Sequence, residues 1–299
     1  MSKAIFIRFC VSSIIFLGTE STFVFARSGP ERATSAVALG TAGAGRAALI
    51  TNEVNTLNPA QLVRIQGRSL GFTFRENEFS GTFADHDREN FFPASASYWQ
   101  KREPLDPVYE IETKDMSLAF AKLLSKHLSL GVSFHRFSYM VRGDGAEARF
   151  DRDPVGKRRL KGTELEIFES QVDLAGLYVA NEVFGFGLGL YNLVPNSDIP
   201  EEIRRHSYAG LGIHYLQNPM IRYRMDIVRG FQSEDKPLTL SLGTELFWNK
   251  WIAFRMGEEY LPETGSTDLS VGIGFDGPVF GVSYALAKGM HWLDLTMPF

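Results

Sequence analysis

The stretch that decides the fold is the last eleven residues, "GMHWLDLTMPF" (residues 289–299). Read as an extended chain, Leu293, Leu295, Met297 and Phe299 share one face, and Trp292, Asp294, Thr296 and Pro298 share the other. Chain ends usually fray into water. A two-residue rhythm kept up to a final aromatic ring instead predicts a terminal strand that is paired on both edges. Pro298 removes one ladder donor and is tolerable only near a strand end.

The same rhythm recurs upstream. Leu70, Phe72 and Phe74 share a face. In "FGFGLGLYN", Phe184, Phe186, Leu188 and Leu190 oppose Gly185, Gly187 and Gly189. Ile221, Tyr223, Met225 and Ile227 oppose Arg222, Arg224 and Asp226; Leu269, Val271, Ile273 and Phe275 oppose Ser270, Gly272 and Gly274. Each segment has about the 9–11 residues that cross a bilayer as a tilted strand. Several are joined by short turns ("QNP", "WNK", "DGP"), and others by longer polar loops, of which residues 142–162 form the largest. A soluble β-sandwich also alternates. Here, however, the polar face is rich in Gly, Ser and Ala, as a crowded lumen would be. The expected fold is therefore an all-β transmembrane antiparallel barrel. The strand count is fourteen, or twelve if the weakly alternating, proline-bearing pair 91–100 and 108–114 is left out; 116–124 is read as a further strand.

Composition narrows the function classes. The 299 residues are 44% apolar and 22% charged with net charge −4, so nothing calls for nucleic acid. Residues 1–26 carry a basic start (Lys3, Arg8), an apolar run too short to span a bilayer, and a small-residue cleavage pattern ending at Ala26. They read as a secretory signal peptide, with an uncleaved anchor as the rival. Cys10, the single cysteine, lies inside it, so the mature chain would have no disulfide, thiolate metal site or cysteine nucleophile. No cofactor and no metal site are expected.

Residues 27–67 differ from the rest. "GTAGAGRAALITNEVNTLNPAQL" (residues 40–62) is rich in small residues and leads to an Asn-Pro-Ala motif. Its GxGxxA match is discounted, because no βαβ unit surrounds it. The stretch resembles the opening of the FadL-like outer-membrane proteins, the long-chain fatty-acid transporters and their PorV-like relatives. The matching positions are Gly40, Gly43, Gly45 and Ala47, then Asn58, Pro59 and Ala60. The closing hairpins, with the Leu293–Leu295–Met297–Phe299 face, resemble that family too and its signal for the barrel-assembly machinery. The acidic run before Asn-Pro-Ala is replaced by "ITNEVNT", and Gln61 stands where a glycine is common. The resemblance implies three parts: signal 1–26, a hatch at 27–67 folded into the lumen, and a barrel at 68–299, in the outer membrane of a bacterial cell. Its partners would be outer-membrane lipid and lipopolysaccharide.

Among residues that could carry chemistry, His214, Arg222, Arg224, Asp226, Glu245 and Arg255 are expected to face the lumen. They are read either as a polar ladder for water or an anionic headgroup, or as ion pairs filling the interior. Asp85, His86 and Asp87 have no nucleophile-bearing motif beside them. Asp144, Glu147, Asp151 and Asp153 match no defined calcium loop. The chain is read as a non-enzyme. The first functional expectation is passive uptake of a small hydrophobic compound. The alternatives are a PorV-like scaffold or shuttle with an envelope protein partner, and a structural barrel with a blocked lumen.

Overall fold

A computed structural model describes residues 35–48, 53–65, 67–86, 92–104, 109–143, 158–161, 164–181, 183–194, 204–231 and 237–299. The signal segment, residues 27–34 and 49–52 of the expected hatch, and Asp87, Asp144, Glu147, Asp151 and Asp153 lie outside the described residues. The strands are β1 (Gly67–Arg75), β2 (Glu78–His86), β3 (Ala94–Pro104), β4 (Glu110–Leu123), β5 (Leu128–Arg142), β6 (Arg158–Lys161), β7 (Glu164–Val179), β8 (Phe184–Tyr191), β9 (Tyr208–Asn218), β10 (Ile221–Gly230), β11 (Thr239–Phe247), β12 (Ile252–Leu261), β13 (Ser266–Asp276), β14 (Gly281–Ala287) and β15 (Met290–Pro298). Before them come one α-helical turn, α1 (Ala36–Leu39), and a 3-10 helix, Pro59–Arg64.

Each strand pairs antiparallel with its neighbours. β15 returns to β1, and β5 pairs directly with β7, so fourteen strands close a ring. β6 lies outside that ring, on the 164–166 end of β7, whereas β8 pairs with the 174–179 end of the same edge. At the closing seam Ser69 faces Pro298 and Phe74 faces Leu293. The pairing continues through the last residue: Phe299 N donates to Arg68 O at 3.0 Å, and Arg68 N donates to Phe299 O at 3.3 Å. Closure at this seam leaves neither β1 nor β15 with a free edge in a medium that offers no hydrogen bonds. The turn joining β14 to β15 takes two residues, Lys288 and Gly289, both at positive φ (51° and 72°), as two-residue hairpins prefer.

The face assignments read from the sequence hold. Met116, Leu118, Phe134, Leu188, Leu242, Met256, Leu269, Val271 and Leu293 point outward and are exposed. A continuous apolar ring of this extent is far beyond the patches that water-soluble monomers tolerate and is the surface of a lipid-facing barrel. Inside, Ser, Thr, Gly and Ala alternate with buried charges.

The total of fourteen matches the expectation, but two strands differ from it. Residues 78–86 form a full strand, β2, in which Phe79 and Phe83 face outward and Ser80 and Thr82 face the lumen. Residues 108–114 and 116–124 are a single strand, β4. Asp115 does not break β4, because it faces the lumen and meets His135 there.

The glycine shelf and the N-terminal segment as candidate functional site

The described part of residues 35–65 lies inside the barrel, and the wall is shaped to receive it. A methyl group at Gly131 (β5), Gly187 (β8), Gly212 (β9), Gly243 (β11) or Gly257 (β12) would stand closer than 3.0 Å to the backbone of this segment. The atoms met are those of Ala60, Arg46, Ala47, Thr41 and Ala42. The glycine rhythm on the lumen face is thus a shelf on which another backbone rests directly, which only a residue without Cβ allows.

One carboxylate fixes the first half of the segment. Asp226 Oδ2, on β10, accepts from Gly45 N (3.0 Å), Arg46 N (3.1 Å) and Arg46 Nη1 (2.9 Å). Both partners of the ion pair are buried, so removing one would strand a charge in a low-dielectric interior. Nearer the chain start, α1 packs its Ala36 against Ala285 and Trp292, Val37 N donates to Asp294 Oδ2 at 3.3 Å, and Ala42 N donates to Ser270 Oγ at 3.0 Å.

The Asn-Pro-Ala motif folds as its residues dictate. Asn58 Oδ1 accepts from Ala60 N (3.0 Å) and caps the 3-10 helix that Pro59 opens, a local turn that Asn favours. Its Nδ2 donates to Arg46 O (2.7 Å) and to Gly176 O of β7 (3.2 Å). Gln61 Nε2 donates to Gly45 O (2.9 Å) and Arg46 O (3.2 Å). Gln61, a departure from the family pattern, therefore ties the motif to the Gly45–Arg46 turn. Gly40 fits between Ala36 and Arg255, and Gly43 has φ +80°.

The second half of the segment is held by hydroxyls. Ser133 Oγ donates to Asn55 O and Ser129 Oγ to Ala60 O, both at 2.9 Å. Asn55 Nδ2 donates to Ser117 Oγ (2.9 Å) and Ser97 Oγ (3.2 Å), and Val54 and Leu62 pack on Ala84, Ala119 and Ala121. Glu53 accepts from Ser35 N, joining the two halves. Burial pushes its carboxyl up to about 8.

The six lumen candidates do not act as one set. Below the shelf, Glu245 gathers three guanidiniums: Arg224 Nη2 at 2.6 Å, Arg255 Nε at 2.8 Å and Arg222 Nη1 at 3.0 Å. Asp226 stands apart, engaged with Arg46, and His214 sits on β9 opposite Arg224. A second buried charge chain escaped the sequence reading. His135 Nδ1 lies 2.8 Å from Asp115 Oδ2, and its Nε2 lies 3.2 Å from Asp173 Oδ2, across β4, β5 and β7. Asp173 Oδ1 also accepts from Asn192 N at 2.8 Å, where β8 leaves β7. Strand parity alone puts all three on the lumen face, so the signal was present. Toward the long loops the wall turns apolar: Ile111, Phe137, Tyr139, Val141, Leu165 and Ile167 form one buried cluster, with the Arg205 guanidinium 4.0 Å from the Phe137 ring centre. Of the C-terminal face, Leu293, Met297 and Phe299 are exposed to the outside and Leu295 is half-buried. Asp85 pairs with Arg68 at 3.2 Å at the open end of the β1–β2 ladder, beside Phe299.

No family model matches the sequence, and no curated protein matches it. Solved structures do match the fold. The Ralstonia pickettii toluene transporter TbuX aligns with TM-score 0.67 at 13% identity, over 92% of this chain and 100% of its own. The P. putida toluene transporter TodX aligns with TM-score 0.69 at 10% identity, over 89% and 98%. A Pseudomonas aeruginosa FadL homologue aligns with TM-score 0.64 at 12% identity, over 91% and 100%. Over about nine-tenths of its length, this chain has the fold of the FadL-type transport channels.

Proposed function

We propose that this chain is an outer-membrane channel for passive uptake of a small hydrophobic compound, with the segment around residues 35–65 as its hatch. One observation carries the reading: in a barrel of the FadL type, a separate stretch of chain lies across the lumen on a purpose-shaped glycine shelf. A wall built only for rigidity would fill its interior with side chains, not with bare backbone facing a second backbone. In this reading the long-loop end faces outward, and the aromatic cluster around Phe137 and Tyr139 receives the compound. Release follows displacement of the hatch toward the periplasm or passes through a wall opening.

The test is deletion of residues 40–60 in the full chain, with uptake of radiolabelled toluene measured in whole cells. Barrel insertion is checked by heat-modifiable migration. The expected outcome is an inserted barrel with altered uptake. Unchanged uptake would remove the hatch role.

A further inference from the structure

The aromatic cluster toward the long loops is filled from within by a cation. The Arg205 guanidinium lies 4.0 Å from the Phe137 ring centre and 5.7 Å from that of Trp99, and its Nε donates to Tyr139 Oη at 3.3 Å. Two carboxylates stand behind the rings. Tyr139 Oη donates to Glu169 Oε2 at 2.7 Å, and Trp99 Nε1 donates to Glu78 Oε1 at 2.7 Å. Ring faces attract a desolvated cation, and cages of such faces recognise quaternary ammonium groups. Arg205 is buried, yet it is held unlike the other buried guanidiniums. Arg46 lies 2.9 Å from Asp226, Arg224 2.6 Å from Glu245 and Arg255 2.8 Å from Glu245. Among the described residues, Arg205 forms no ion pair, and its Nη2 meets no acceptor. It is also carried on residues 204–207, outside the strands, where Asn192 Nδ2 ties down His206 O at 2.8 Å. Its side chain can therefore turn away without opening a strand pairing.

We propose that the cage of Phe137, Trp99 and Tyr139 is a binding site for a small organic cation whose charge is wrapped in methyl or methylene groups, and that Arg205 is the internal ligand occupying it at rest. An arriving cation takes the place of the guanidinium over Phe137 and keeps a positive charge beside Glu169. A neutral guest of the same shape displaces the guanidinium without returning that charge. An anionic guest sets like charges together. The inference rests on the channel reading above, because it names the class of compound taken at the entry cluster, but it is tested by binding alone.

The experiment uses the full chain in an uncharged mild detergent, titrated by calorimetry and by ligand-observed NMR with three probes of one shape: choline, its uncharged analogue neohexyl alcohol, and the anion tert-butylacetate. Choline is expected to bind at least about tenfold more tightly than neohexyl alcohol, the upper range of a desolvated cation–ring contact. Arg205→Ala removes the internal competitor and raises the fraction of open cages, so choline should bind about tenfold more tightly still. Phe137→Leu should erase the preference for choline over the alcohol. Heat-modifiable migration identifies any variant that has not folded, and the three probes on the wild-type chain then decide alone. Equal affinity for choline and neohexyl alcohol overturns the proposal, as does tightest binding of the anion or no binding of any probe. So does a choline affinity that Arg205→Ala leaves unchanged. Choline binding in a protein whose cells take up neither toluene nor choline would overturn the channel reading and leave this site standing; toluene uptake without any cation preference in binding would do the reverse.

Discussion

The two halves of the N-terminal segment are held in opposite ways. Residues 36–48 lie on the glycines of β8, β9, β11 and β12, and Asp226 takes three hydrogen bonds from this stretch on a single oxygen, with Asp294 and Ser270 accepting one each. Residues 53–65 rest on a single glycine, Gly131, and lie against β3, β4, β5 and β7, where serine hydroxyls reach single backbone or amide groups. The first arrangement concentrates its free energy in one ion pair and in steric fit. The second spreads it over many bonds of about 1 kcal/mol each. One substitution should therefore release the first half, whereas the second half should yield only gradually.

The strongest challenge to this contrast is Asp226→Asn. It leaves the Arg46 guanidinium buried without its counter-charge, at a cost of about 3–5 kcal/mol. Hydrogen exchange should rise at residues 41–48 and stay slow at 53–65. Equal loss in both halves would break the comparison. Next is Gly187→Val, which sets a branched side chain against Arg46 O and should cost about 1–3 kcal/mol by overpacking. The readout is protease nicking of the segment. Gly81→Ala serves as the control, since a methyl there meets only Phe72 and Phe79 at ordinary distances.

Glu53, which joins the halves, sharpens the contrast through pH. Its carboxyl is raised to about 8 by burial. The folded-state value thus exceeds the unfolded one, and stability fully present below about pH 4.5 is lost as pH climbs through about 8. Exchange at residues 35–38 and 53–56, taken relative to the intrinsic rate at each pH, should accelerate between about pH 4.5 and 8, and Glu53→Gln should flatten that dependence. The smallest effect belongs to Ser133→Ala. It removes one hydroxyl donor from Asn55 O and should cost about 1 kcal/mol, visible as faster exchange next to Asn55 with the first half untouched.

Much of this was legible because a strand has a period of two. Parity placed Phe184, Phe186 and Leu188 outside and Gly185, Gly187 and Gly189 inside, and the structure agrees. Parity could not say what the glycines faced, since the contact between Gly187 and Arg46 spans most of the first half of the chain. The pairing of Asp226 with Arg46, 180 residues apart, was likewise hidden: six inward polar residues look alike until the register of four strands is known. Strand β2 was missed because its closing residues, Asp85 and His86, read as a loop tip. β4 reads as two strands because alternation is poor over 108–114, where Lys114 belongs to the charged outer rim around Glu112, while Asp115 meets His135 inside the lumen. Gln61 was seen as a departure, yet its bonds to Gly45 and Arg46 lie beyond any single-sequence signal.

The shelf carries one more consequence. Where the wall offers only bare peptide, it contributes no side chains to the bore, and the material lying there is the resting strand of polypeptide itself. If that strand swings away, the aperture it leaves has its own width, that of one extended backbone with small side groups, and a smooth floor of amide planes. In the proposed channel, permeant size would then be set by the dimensions of the departing piece, and bulkier residues at Thr41, Ala42 or Ala47, which are buried against that floor, would lift the piece from its seat.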